Sequence, residues 1–170
     1  MSDGALASGL ITTAKRLVPP SGKRPPQANL RRSISTCYYA VFHELAKVCA
    51  DSLVGATKSK RPNKAWVEVY RGLVHGPCKQ ACERAKNIAF PQEIHDFADA
   101  FLQLQDARHL ADYDPSERFN KEQARFYIAL AERAIMALRS TNNIDRKAFA
   151  TWVLITSKGA EEARKRAKGT

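Results

Sequence analysis

Arg108, His109, Asp112 and Tyr113 fall within six residues of one another and bring a cation, a titratable ring, a carboxylate and a phenol into one short stretch. A guanidinium is a rigid fork of donors that clamps a phosphate or a carboxylate. A histidine, with a pKa of about 6.5, exchanges protons near neutrality, whereas a tyrosine at about 10 is a poor base unless strongly shifted. Asp112 stands four residues after Arg108, so it can accept from that arginine or orient the ring of His109. The same spacing also describes an ordinary helical ion pair, worth about 0.3 kcal/mol. Tyr113 and the Pro115 that follows it can equally be structural, fixing the corner between two helices. His43, among the aromatic residues Tyr38, Tyr39 and Phe42, is a second-rank candidate, since a lone helical histidine more often belongs to a core or an interface.

Other chemistries lack their residues. The sequence has no phosphate-binding glycine loop, no paired carboxylates of the glycosidase kind and no G-x-S-x-G elbow. Of the four cysteines, Cys78 and Cys82 share a helix face, but no ligands at a zinc-type spacing accompany them. The expectation is four small reduced core residues, no metal and no cofactor.

The elements that must position these side chains are helices. Leu6, Leu10, Ala14 and Leu17 mark a first one over 4–17, which Pro19 and Pro20 stop. The longest runs over 27–54, striped by Leu30, Ile34, Tyr38, Val41, Leu45 and Val48, and ends at Gly55. A basic loop at 56–63 leads to a helix over 65–74. His75-Gly76-Pro77 reads as the end of that helix, with a short helical piece over 78–88 after it. Pro91 suits the first turn of the next helix, which runs to the Asp112-Tyr113-Asp114-Pro115 break. Asn120 and Gln123 form a capping-box pattern for a helix reaching Leu138, and Asp145 is a candidate cap for a last one burying Phe149, Trp152 and Val153. Six or seven helices with short connections and no strand predict an all-α, up-and-down bundle with additional short helices. It forms one domain over 1–158, followed by a basic tail over 159–170 that is expected to fray.

Two stretches together resemble the HEPN superfamily. One is Arg31-Arg32-Ser33-Ile34-Ser35-Thr36-Cys37-Tyr38-Tyr39-Ala40-Val41-Phe42-His43, and the other is Ala107-Arg108-His109-Leu110-Ala111-Asp112-Tyr113-Asp114-Pro115. The resemblance covers about 28–140. It implies a helical bundle that dimerises through its long helices. Its activity would be metal-independent RNA cleavage in a toxin–antitoxin, defence or RNA-processing setting, or non-catalytic binding and regulation. Catalytic members carry an arginine, four to six residues, then a histidine. Arg108 matches the arginine and His109 the polar position after it, but the window ends on Tyr113, Asp114 and Pro115. Arg71 and His75 are only four apart and belong to another helix. By the same analogy Tyr113 is the natural acceptor if a partner nucleotidyltransferase silences the protein, and a cognate antitoxin is a further expected partner.

A net charge of +11 and a pI of 9.8 favour polyanionic partners such as RNA. The charge is uneven, because residues 91–117 hold seven acids and one arginine. Either the surface is polarised or the acidic helix lies against a basic one. Candidate RNA contacts are Arg31 and Arg32 on the long helix, and Lys58, Lys60, Arg61 and Lys64 beside Trp66, whose indole can stack on a base. That basic loop is just as well a solvated one. With no long apolar run and no secretory leader pattern, the expectation is a cytoplasmic protein with no membrane contact.

Overall fold

The computed structural model describes residues 5–155, and the 159–170 tail lies outside them. Seven α-helices account for most of this span: α1 (Ala5–Leu17), α2 (Gln27–Val54), α3 (Asn63–Gly72), α4 (His75–Ala85), α5 (Gln92–Tyr113), α6 (Lys121–Ser140) and α7 (Asn143–Leu154). A single 3-10 turn spans Lys58–Lys60, and no strand occurs among the described residues. The all-α bundle expected from the periodicity is therefore the fold. None of these helices is long and apolar enough to cross a membrane.

α2 is the axis, packed by α1, α5 and α6 and, toward its C-terminal half, by α3 and α7. A helix surrounded in this way is buried on nearly every side, so its polar residues must find partners in the interior. Ser33 donates to the carbonyl of Ala14 at 3.0 Å, and Thr36 to that of Arg32 at 2.6 Å. Glu44 is held by both ends of the Arg139 guanidinium, at 2.8 and 2.6 Å. The helix stops at Gly55, whose φ of +121° would strain any other residue.

The corner between α5 and α6 is tied back to α2. Arg31 donates to the carbonyls of Ala111, Asp114 and Glu117 at 2.9, 2.8 and 2.5 Å. Ala111 and Asp114 lie at the C-terminal end of α5, whose carbonyls lack helical partners, and Glu117 lies in the connection to α6. One turn earlier, the Gln27 side chain both donates to and accepts from the Phe119 backbone. The Asn120–Gln123 capping box forms as its sequence predicts, with 2.7 and 2.9 Å bonds.

Three local expectations are corrected. α3 ends at Gly72, and His75 opens α4 instead of closing α3. Pro77 is accommodated because the first turn of a helix needs no amide donor. Pro91 precedes α5 as its N-cap instead of entering its first turn. Asn142 caps α7 by accepting from the amide of Asp145, so Asp145 lies inside the first turn.

Of the acids on α5, Asp106 is met by Lys79 of α4 and Asp99 by Lys86 just past the end of α4, each at 3.0 Å. All four cysteines are buried free thiols. Burial pushes Cys37 and Cys78 up to about 12, and Cys49 and Cys82 are raised as well. No group of three or more metal-ligating side chains occurs among the described residues.

Candidate functional site

Arg108 projects from the last turns of α5 into a cage of phenols. One terminal nitrogen, Nη2, donates to Tyr39 at 3.0 Å and to Tyr113 at 3.3 Å. The guanidinium carbon lies 5.3, 5.5 and 5.9 Å from the ring centres of Tyr113, Tyr39 and Tyr38, within cation–π range. Asp112 completes the frame. Its Oδ2 accepts from Ser35 at 3.2 Å and stands 2.7 Å from Arg108 Nε. That Nε–H is not aimed at the carboxylate, so it stays buried without an aligned acceptor. Burial opposes the charge on Arg108, but Tyr39, Asp112 and Tyr113 outweigh it and hold the guanidinium above its ordinary value.

The histidine of this cluster comes from α4. His75 Nδ1 is 2.7 Å from the Tyr38 hydroxyl, its ring packs 4.2 Å from Phe42, and it faces Tyr39 edge-on. Burial lowers its pKa, and the Arg108 cation lowers it further, so the ring is neutral over a wider pH range than usual. The Tyr38 phenol is shifted upward by burial and stays protonated. Their bond runs in either of two directions. When the phenol donates, the ring carries its proton on Nε2; when the ring donates from Nδ1, Nε2 is an open lone pair. A fixed cation, a neutral imidazole and a carboxylate that orients the cation thus stand together. This set can hold a phosphate and exchange a proton beside it.

Comparisons with known protein families, with curated proteins and with solved structures found no match.

The remaining sequence candidates divide. Asp112 serves Arg108, not the ring of His109. His109 itself is exposed, its ring packs 5.2 Å from that of Tyr113, and it lines a shallow groove of about 410 Å³ with Arg108, Gln105 and Lys79. His43 is held by Tyr70 through a 2.7 Å bond and a stacked ring, and burial followed by the charge of His75 lowers its pKa. It sits behind the cluster, one aromatic ring (Phe42) away from His75.

Two of the proposed RNA contacts are already committed. Arg31 spends its donors on the α5–α6 corner. Arg61 is buried 4.1 Å over Trp66 and donates to Asp51, Gly55 and Ala56. Trp66 is buried too, with its indole N–H on Asp51 at 2.9 Å, so its face is closed to a base. Burying a cation requires pairing it, and these contacts supply the pairing. Arg32, Lys58, Lys60 and Lys64 are exposed.

Sequence reasoning did not bring His75 to Arg108. The two are 33 positions apart, near opposite ends of two successive helices that must pack antiparallel to bring them together, and the His-Gly-Pro order matched a helix end. The one usable signal was the Tyr38-Tyr39 pair, since a buried phenol needs a hydrogen-bond partner.

Proposed function

We propose that this chain is a HEPN-type, RNA-targeting protein of the cytoplasm in which Arg108 binds the scissile phosphate and His75 of α4 takes the place of the motif histidine. The observation that carries this reading is the position of a neutral imidazole, hydrogen-bonded to Tyr38, in one cluster with a guanidinium whose hydrogen bonds go to two phenols. In the proposed step the ring donates Nδ1–H to Tyr38, and Nε2 removes the proton from a ribose 2′-hydroxyl. That oxygen forms a bond to phosphorus, and the bond from phosphorus to the 5′-oxygen breaks. The leaving oxygen takes a proton from water, or from a histidine of a second copy. Arg108 holds the non-bridging oxygens as charge builds on them. Leu110 and Tyr113, both exposed and one turn apart on α5, supply an apolar rim for that second copy.

The test is incubation of purified protein with mixed RNA in EDTA. Wild type is expected to cleave, and Arg108→Ala and His75→Ala to lose at least about a hundredfold in rate, with His109→Ala near wild type. Cleavage that survives His75→Ala but not His109→Ala would transfer the proton step to His109. Intact RNA with every variant would remove the enzyme reading.

A second reading has its own support. Tyr113 is 62% exposed, and its hydroxyl accepts from Arg108. It therefore presents an oxygen to a partner enzyme at the edge of the cluster, as expected of a regulated toxin-type or non-catalytic module. Nucleotidyl transfer onto Tyr113 by a co-encoded transferase, detected by mass and abolished by Tyr113→Phe, would favour it.

A further inference from the structure

A second cationic site lies at the meeting of α2, α6 and α7 and shares no residue with the Arg108 cluster. It is a groove of about 570 Å³ whose charged lining is Glu44, Lys47, Asp51, Arg139, Arg146 and Lys147. Its two carboxylates are both engaged. Glu44, 3% exposed, is gripped bidentately by Arg139. Asp51 receives Lys47 on one oxygen, and Trp66 and Arg61 on the other. The nearby Asp145 is turned to the side chain of Asn142.

The cations are not matched in the same way. Among the described residues no carboxylate pairs with Arg146 or Lys147. The recorded side-chain bond of Arg146 uses Nη1 alone, to the carbonyl of Arg139 at 3.2 Å, which leaves the rest of its fork unspent. The lining sets four cations against two carboxylates, a surplus of two charges around one concavity. Both unmatched side chains stand in the first two turns of α7, where the helix dipole adds positive potential. Low-dielectric walls concentrate that field in a cleft. A fork and a point charge converging there suit phosphate oxygens better than a lone carboxylate, whose single charge would leave part of the surplus uncompensated.

We infer that this groove binds phosphate groups, carried by a nucleoside polyphosphate or by the backbone of an RNA strand. The site stands independently of any cleavage at Arg108.

The experiment is fluorescence anisotropy of full-length protein at low salt. One arm uses a fluorescent ATP analogue and the other a labelled single-stranded RNA, with inorganic triphosphate as competitor. Lys147→Glu is the main variant because its side chain is exposed and tied to nothing; Arg146→Gln is the second, and thermal melting checks the fold of each. Expected is a loss of roughly tenfold or more in affinity for one or both probes with either variant, and competition by triphosphate. Loss confined to the nucleotide assigns the site to a free ligand, and loss in both arms, with a shallower salt dependence, to a strand. Unchanged affinities in well-folded variants, or no binding of either probe by wild type, overturns the inference.

Discussion

Arg61 and Arg108 are built from the same parts, yet one is spent inside the fold and the other belongs to the candidate site. Each lies over aromatic rings beside a carboxylate near a helix end. Arg61 has a side chain only 3% exposed, and it gives hydrogen bonds to a carboxylate, two backbone carbonyls and the side chain of Asn63. Arg108 is 18% exposed, its hydrogen bonds go to two phenols, and its Nε–H faces the neighbouring carboxylate out of line. Residue type does not separate the two; what does is whether the donor fork has been used up inside the protein.

The strongest test of that contrast is stability. Arg61→Ala leaves Asp51 partly uncompensated and uncovers Trp66, and should cost about 3 kcal/mol. Arg108→Ala should cost about 1 kcal/mol, because phenols keep access to water as an alternative partner. Urea midpoints measure both, and a larger loss at Arg108 would break the comparison. Next in size, Tyr38→Phe removes the buried partner of His75 and should cost about 1–2 kcal/mol, while lowering any RNA cleavage more than it lowers RNA affinity.

A further expected effect appears only in acid. His43 and His75 both have folded pKa values below the ordinary histidine value, chiefly through burial. As pH falls through about 6.5 the unfolded chain binds protons that the folded chain refuses, so stability declines with falling pH. It levels off once the pH passes below the folded values. His43→Gln with His75→Gln should flatten the urea midpoint between pH 7 and pH 5 relative to wild type. An unaltered slope would mean that neither ring titrates differently on folding. The smallest effect is Tyr113→Phe, expected to stay within about 0.5 kcal/mol because the residue is exposed, and to separate phenol chemistry from folding.

The sequence makes plain those features whose determinants lie close together. Leu30 to Val48 repeats at helical steps, and Gly55 needs its left-handed backbone, so the span of α2 was readable. Asn120 and Gln123 satisfy each other across three residues, so the start of α6 was readable too. What stayed hidden depends on which distant group a polar side chain meets. Nothing near Arg61 shows that it folds over Trp66 instead of reaching solvent, since Lys58, Lys60 and Lys64 have the same local setting and remain exposed. His75 was hidden for a further reason: glycine followed by proline is compatible with both a helix exit and a first turn. Only the packing of α4 on α5 chooses between them.

The grip of Arg31 on the α5–α6 corner has a consequence for how the chain is made. Its three carbonyl partners lie 80, 83 and 86 positions downstream. When α2 emerges during synthesis, none of them exists, and the guanidinium is served by water. The bundle can collapse around α2 early, but this latch closes only after Glu117 has been added. Any product truncated upstream of Glu117 carries an arginine with an incomplete set of acceptors and a long helix whose first turns are unsecured. Such fragments would be distinguished from the finished protein by protease susceptibility at the start of α2, and the latch would act as a late check that the α5–α6 corner has been reached.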